Sequence, residues 1–141
     1  MALTLALFDM AATTVDDTID GCPLVLQSFA DSFNTVHVPV SWEVLNAQRG
    51  KDKLEVFRTL LASHGGLHEE TLEQTAQGLL AHFTAQLLRN VARLREMPGA
   101  TAAFRFLKHH GVFIALGSGF PAELPDYLVK HGYVGAADAR R

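Results

Sequence analysis

Apolar positions along the chain change their spacing several times, and each change predicts a new element. LTLALF, residues 3–8, is a continuous apolar run with the length of a buried strand, and VFIAL, residues 112–116, is a second such run. Each run leads into a segment of small residues. We therefore expect two strands that are covered on both faces, each followed by a tight loop.

Between and after these runs, apolar residues recur at the spacing of amphipathic helices, and glycine and proline residues separate the helical segments. The segment around Pro39 is expected to be extended, and Ser41 is expected to cap the short helix that follows it. The predicted helices cover residues 18–34, 42–47, 51–63, 71–94, 100–109 and 121–131.

This order of elements predicts an α/β fold. Two buried strands that are joined through a packed helix are typical of parallel pairing. The helices between residue 18 and about residue 95 are too many for one crossover, so they are interpreted as an inserted helical cap. The expected division is a partial α/β core of residues 1–17 and 97–141 and a cap of residues 18–96.

Composition and charge narrow the class of protein. The 141 residues are 48% hydrophobic and 19% charged, which favours a folded core over disorder. The net charge of −3 and the absence of a basic cluster argue against nucleic-acid binding. The single cysteine, Cys22, excludes an internal disulfide and fits a reducing compartment. No run reaches the length of a membrane span, and the first residues lack a basic leader segment, so a cytoplasmic protein without a membrane partner is expected.

Candidate chemistry lies where the two strands end. Asp9 ends the first run and Ser118 follows the second, and in open parallel sheets ligands bind beyond the carboxyl ends of the strands. The small residues of loop 10–14 would let backbone N–H groups approach an anion, and Thr13 and Ser118 could donate hydroxyls to a phosphoryl group. Asp9 could attack phosphorus as a nucleophile with Mg²⁺ beside it. A helix-capping or turn aspartate is the alternative.

Three motifs resemble those of one family. FDMAATTVDD, residues 8–17, is similar to the first motif of the haloacid dehalogenase (HAD) superfamily in its phosphonoacetaldehyde hydrolase-like branch. IALGSGF, residues 114–120, resembles the second motif, and RGKDKLEVFRTLL, residues 49–61, resembles a cap stretch that contains the family's lysine. MPGA, residues 97–100, lies where the cap returns to the core in such proteins. The resemblance covers nearly the whole chain, with the motifs in the family's order.

This resemblance implies a Rossmannoid HAD-like core with a helical cap, and a hydrolase that acts on a small phosphate ester or phosphonate. Asp9 would be the nucleophile. Thr13, Ser118 and Gly119 would bind the phosphoryl group. Mg²⁺ would be held by Asp9 and by the backbone carbonyl of Ala11.

The alanine at position 11 has a chemical meaning within this resemblance. Ordinary HAD phosphatases place a general acid/base aspartate there, whereas the branch that cleaves C–P bonds uses a cap lysine that forms a Schiff base with an aldehyde substrate. Lys53 matches that lysine. The resemblance therefore implies that Lys53 takes over the role of the acid that Ala11 lacks. Read from the residues alone, Lys53 is more typical of a solvated charge near a helix start.

The sequence also departs from the family pattern. Ala12 stands where glycine is usual, and its Cβ is expected to crowd the phosphate or to change the loop conformation. Arg49 replaces a methionine, and Val56 replaces the histidine of true phosphonoacetaldehyde hydrolases. The sequence ends before the family's third and fourth motifs, so truncation at the C-terminus is expected. Weak Mg²⁺ binding and an open sheet edge that favours homo-oligomers are expected from it.

Two other interpretations stay open. The chain could be a truncated, inactive HAD remnant that binds anions or a partner chain. It could also be a receiver-like phosphoacceptor module, although such a module would not explain the long helical insertion.

Overall fold

Helices and short strands alternate along the chain in this computed structural model, which describes residues 4–121, 123, 124 and 128. The strands are Leu5–Asp9 (β1), Val15–Asp16 (β2), Thr18–Ile19 (β3), Cys22–Pro23 (β4), Arg95–Glu96 (β5) and Phe113–Gly117 (β6). The helices are Leu24–Thr35 (α1), Trp42–Asn46 (α2), Lys53–His64 (α3), Glu69–Asn90 (α4) and Ala100–His109 (α5), with a 3₁₀ turn at Val91–Arg93. Most of the helix predicted for residues 121–131 lies outside the described residues.

β1 and β6 pair in parallel, with Leu5 opposite Phe113 and Asp9 opposite Gly117. The strands come from distant parts of the sequence, and the helices between them form the connection. The prediction of an α/β fold with a parallel sheet is therefore confirmed. Because both strands run in the same direction, their carboxyl ends meet at one edge and bring Asp9 next to the loop that begins at Ser118.

One face of this sheet is apolar and exposed. Leu5, Leu7 and Phe113 are 61%, 70% and 61% exposed. On the other face, the ring of Phe8 packs edge-on against Phe104 of α5 at 5.2 Å between centroids. The prediction that both strands are covered on both faces is thus wrong for the part of the chain that the structure describes. Self-association through the open edge stays a prediction.

The predicted helix of residues 18–34 begins later than expected. Residues 18–23 form the antiparallel hairpin β3–β4, and α1 begins only at Leu24. Asp20 and Gly21 make the turn, with φ values of 52° and 80°. Two consecutive positive φ angles are typical of the tight turn that Asp-Gly favours. A local turn signal therefore overrides the apolar spacing in this segment.

The long helices pack around buried phenylalanine rings. Phe29 of α1 lies 4.8 Å from Phe83 of α4 and 5.4 Å from Phe57 of α3, measured between ring centroids. All three side chains are fully buried. Ser41 caps α2 as predicted, because its Oγ accepts a hydrogen bond from the N–H of Val44. Within the described residues, no helix is both long enough and apolar enough to cross a membrane.

Candidate active site

The loop that follows β1 is held by its own hydrogen bonds. The carbonyl of buried Met10 accepts hydrogen bonds from the N–H groups of Thr13, Thr14 and Val15 at 3.1, 3.0 and 2.8 Å. The Thr14 hydroxyl donates to the backbone carbonyl of Asp9 at 3.0 Å. These N–H donors are therefore engaged within the loop. The prediction that backbone N–H groups of loop 10–14 approach an anion is therefore wrong for Thr13 and Thr14. The threonine whose hydroxyl braces the loop is Thr14.

Ala12 has the backbone conformation that favours glycine. Its φ is 62°, and its N–H donates to the carbonyl of Val15 at 2.8 Å. The Cβ therefore does not force the loop out of the left-handed region, which was one of the two expected effects. In an L-residue that conformation costs roughly 1–2 kcal/mol.

A pocket with a volume of about 140 Å³ opens beyond the carboxyl ends of β1 and β6. It brings together residues from the end of β1 and the strand-end loops, from α1, from the segment between α2 and α3, and from the start of α3. Its lining residues are Asp9, Ala11, Val25, Arg49, Gly50, Lys53, Gly119 and Phe120. The pocket thus unites four of the predicted site residues, Asp9, Ala11, Lys53 and Gly119.

The two predicted phosphate-binding hydroxyls, Thr13 and Ser118, are both exposed. Ser118 Oγ accepts a hydrogen bond from the N–H of Phe120 at 2.9 Å. This bond leaves the hydroxyl proton of Ser118 available to another acceptor. Neither residue is among the described residues that line the pocket, so a role for them requires a ligand that reaches beyond it.

Lys53 is a buried cation. Lys53 is the first residue of α3. It is 4% exposed. The Nζ donates to the backbone carbonyl of Lys51 at 2.8 Å and lies 5.7 Å from the ring centroid of Phe29. Asp52 caps α3 by accepting a hydrogen bond from the N–H of Glu55 at 2.9 Å, which fixes where the helix begins. The alternative of a solvated surface lysine is therefore wrong.

The surroundings of Lys53 oppose its charged form. Burial lowers the pKa of Lys53 from its ordinary value of 10.5. The negative charges of Asp52 and Asp9 act in the opposite direction, and the positive charge of Arg49 adds to the lowering of the pKa. A lysine in this position is neutral at lower pH than a surface lysine, so more of its amine is free to act as a nucleophile.

Sequence reasoning missed the carboxylate that holds Arg49. Asp17 is 2% exposed, and its Oδ1 lies 3.3 Å from the Nη2 of Arg49. Its other oxygen accepts a hydrogen bond from the N–H of Val25 at 3.4 Å, in the first turn of α1. The available signal was an acidic residue shortly before a helix start, which favours capping. The ion pair ties the loop between α2 and α3 to the segment that precedes α1.

Comparisons with known proteins identify similar folds among solved structures. No family model and no curated protein matches the sequence. Among solved structures, a phosphonoacetaldehyde hydrolase-like protein from Oleispira antarctica matches with a TM-score of 0.71 and 21% identity, over 99% of this chain and 55% of that one. A hydrolase from Pseudomonas syringae matches with a TM-score of 0.71 and 12% identity, over 95% and 55% of the two chains. A protein described as a predicted phosphoglycolate phosphatase from Haemophilus somnus 129PT matches with a TM-score of 0.71 and 15% identity, over 96% and 60%.

The chain has the HAD-like fold. It spans little more than half the length of these solved structures. At such low identity the likeness describes the fold alone. The HAD-like α/β fold implied by the motif resemblance is thus confirmed, while the helical cap and the assignment to the superfamily and to its branch stay predictions.

The strand-end pocket of this HAD-like fold offers few ligands for a metal ion. Asp9 and Ala11, the two residues that the motif resemblance assigns to Mg²⁺, both line it. Among the described residues, no group of three histidine, cysteine or acidic side chains is placed to hold a metal. Mg²⁺ usually keeps several waters and shares one or two carboxylates with substrate phosphates. The residues present therefore fit a hydrated Mg²⁺ whose binding depends on a phosphoryl oxygen.

Proposed function

We propose that the chain is a HAD-like hydrolase that acts on a small phosphate ester or phosphonate, with Asp9 as the nucleophile. The observation that supports this most is the common pocket of Asp9 and Lys53 at the carboxyl ends of β1 and β6. In this proposal, residues 1–17 and 97–141 form the core and residues 18–96 form the cap.

The first step is attack of an Asp9 carboxylate oxygen on phosphorus. The bond from phosphorus to the leaving group breaks as the new P–O bond forms, and water later hydrolyses the aspartyl phosphate. Thr13, Ser118 and the backbone of Gly119 would bind phosphoryl oxygens. When bound by Asp9 and the Ala11 carbonyl, Mg²⁺ would reduce the repulsion between the carboxylate and the anionic substrate.

Lys53 suggests a more specific substrate class, a phosphonate that also carries an aldehyde. The neutral amine adds to the aldehyde carbon and water leaves, and the imine that forms takes up a proton from solvent. That imine accepts the electron pair of the breaking C–P bond. Ala11 has no acidic side chain to protonate a leaving group, so Lys53 would supply the electrophilic assistance in its place. The lowered pKa of Lys53 supports this role.

Binding of an anion without turnover is the second candidate. Lys53 and Arg49 place two cationic side chains on the pocket wall, and Asp9 is the one carboxylate among the described lining residues. Such a wall attracts anions whether or not chemistry follows. This candidate corresponds to an inactive HAD remnant.

Hydrolysis assays with Mg²⁺ test both candidates, with a generic aryl phosphate and with phosphonoacetaldehyde as substrates. We expect Asp9→Asn to lower turnover by on the order of 10⁴-fold, because it removes the nucleophile. Asp20→Asn is the matched control, since it removes an exposed carboxylate of the β3–β4 hairpin, outside the pocket. Borohydride treatment in the presence of the aldehyde should label Lys53, and Lys53→Met should abolish that label.

The outcomes separate the candidates. Equal rates for wild type and Asp9→Asn would remove Asp9 from the mechanism. Anion binding that persists without turnover in wild type would favour the inactive remnant. An unlabelled Lys53 alongside Asp9-dependent hydrolysis of the aryl phosphate would restrict the function to phosphate esters.

A further inference from the structure

We infer that Gly119 is a positioning residue for Lys53, because its missing side chain leaves the space that the Lys53 ammonium and the main chain of Gly50 occupy. The motif resemblance assigned Gly119 only to the phosphoryl group. The contact described below gives it a second role, toward the segment that carries the lysine. This inference rests on the proposed function in so far as Lys53 is treated as a functional residue.

The approach between Gly119 and this segment is tight enough that a side chain at position 119 would force its neighbours to shift. A Cβ at position 119 would lie 3.0 Å from the carbonyl oxygen of Gly50, 3.2 Å from its carbonyl carbon and 3.0 Å from the Nζ of Lys53. The distance between the two carbon atoms is shorter than the ordinary non-bonded separation of about 3.5–4.0 Å. Gly117, two residues earlier, differs: a Cβ there would lie 3.6 Å from the Cδ1 of Leu7, which is an ordinary contact.

The segment that meets Gly119 is anchored on its other sides. Arg49 is held by the buried carboxylate of Asp17, with 3.3 Å between Nη2 and Oδ1. The Nζ of Lys53 donates to the carbonyl of Lys51 at 2.8 Å. A side chain at position 119 therefore crowds both the Gly50 main chain and the Lys53 ammonium, and both have to shift. The ammonium is the end of a flexible side chain, so it moves more easily than the Gly50 main chain.

Displacement of the ammonium changes its chemistry. In the wild-type pocket, burial and the charge of Arg49 lower the pKa of Lys53, while Asp52 and Asp9 raise it. Burial is the largest of these effects. An ammonium that is moved toward solvent loses part of the burial, so its pKa returns toward the ordinary lysine value.

Reductive methylation with formaldehyde and cyanoborohydride, followed by mass spectrometry from neutral to alkaline pH, tests this inference on the purified chain. In Gly119→Ala, we expect the pH profile of Lys53 modification to shift to higher pH than in wild type. Gly117→Ala should keep the wild-type profile, and exposed Lys51 is the internal reference within each protein. Superimposable Lys53 profiles for wild type and Gly119→Ala would overturn the inference.

A second measurement covers the case in which Gly119→Ala lowers stability. If the new methyl group acts through Lys53, the loss of thermal stability should be smaller when Lys53 is already methionine, because the two sites are in contact. Equal losses in the Lys53 and Lys53→Met backgrounds would also overturn the inference. Neither measurement requires turnover, so absence of hydrolysis in all variants would reject the proposed function and leave this result standing.

Discussion

Asp17 and Arg49 form an ion pair that joins the segment before α1 to the loop between α2 and α3. The Nη2 of Arg49 lies 3.3 Å from the Oδ1 of Asp17, and the side chains are 26% and 2% exposed. A second pair, Arg93 with Asp20, is shorter at 2.7 Å, yet its side chains are 51% and 82% exposed. Because water screens the second pair, we expect the buried pair of Asp17 with Arg49 to contribute more to stability, although its distance is longer.

We expect Asp17→Asn to lower the free energy of unfolding by about 2 kcal/mol. The substitution leaves a mostly buried guanidinium without its countercharge, which is a well-defined cause of destabilisation. Urea unfolding of the variant and the wild type measures the change. Asp20→Asn is the control, with an expected loss below about 0.5 kcal/mol, and equal losses for the two variants would contradict the assignment.

Ala12→Gly should stabilise the chain by up to about 1 kcal/mol. Glycine adopts the observed φ of 62° without a steric cost, and this gain outweighs the extra freedom that glycine gives the unfolded chain. Thermal unfolding measures the shift. Ala11→Gly is the matched control at the adjacent position, where φ is not positive, and it should destabilise. A destabilising effect of both substitutions would show that the loop does not hold Ala12 in the left-handed region.

Lys53→Met should stabilise the chain at neutral pH by about 1 kcal/mol, because it removes a buried charge while it keeps most of the apolar stem. The gain should shrink as pH rises. The folded-state pKa of Lys53 is lowered, so between that pKa and 10.5 the unfolded chain binds more protons than the folded one, and wild-type stability increases with pH.

Urea unfolding of both proteins at several pH values from neutral to alkaline measures this difference. Lys51→Met is the control, since Lys51 is exposed and should give no such pH dependence. A gain for Lys53→Met that grows with pH would contradict the lowered pKa.

Phe57→Ala should strongly lower the free energy of unfolding. The side chain is fully buried and contacts the rings of Phe29, Phe33 and Phe83, at 5.4, 5.4 and 5.9 Å between centroids. Loss of such a ring costs about 3–5 kcal/mol. Phe106→Ala is the control, because Phe106 is 63% exposed, and its effect should stay within about 1 kcal/mol. Denaturant unfolding, monitored by circular dichroism, measures the loss of stability in each variant.

The parts of the fold that follow from local pattern could be predicted from the sequence. The apolar runs ending at Asp9 and near Gly117 became the parallel pair, and α3 and α5 lie close to their expected bounds. The same pattern misled at residues 18–23, where the turn preference of Asp20-Gly21 decided the structure. It also gave no hint of the short pairing of Val15 with Glu96, since two-residue strands have no measurable period.

The candidate site was predictable only where a motif marks the residue. Asp9 and Lys53 were found through their motifs, and the structure places them in one pocket. The pair of Asp17 with Arg49 and the approach of Gly119 to Gly50 depend on contacts between distant segments. Such contacts follow from the packing of the helices against the sheet, which no local pattern encodes.

β1 and β6, which pair so that Asp9 lies opposite Gly117, are separated by most of the length of the chain. Closing so large a loop is entropically slow, whereas the contacts among α1, α3 and α4 are closer in sequence. We expect the helices to assemble before β1 meets β6, so the pocket that Asp9 lines would form only in the last stage of folding. Pulse-labelling hydrogen exchange should then show later protection for Leu7 and Ala115 than for α4, and simultaneous protection would contradict this order.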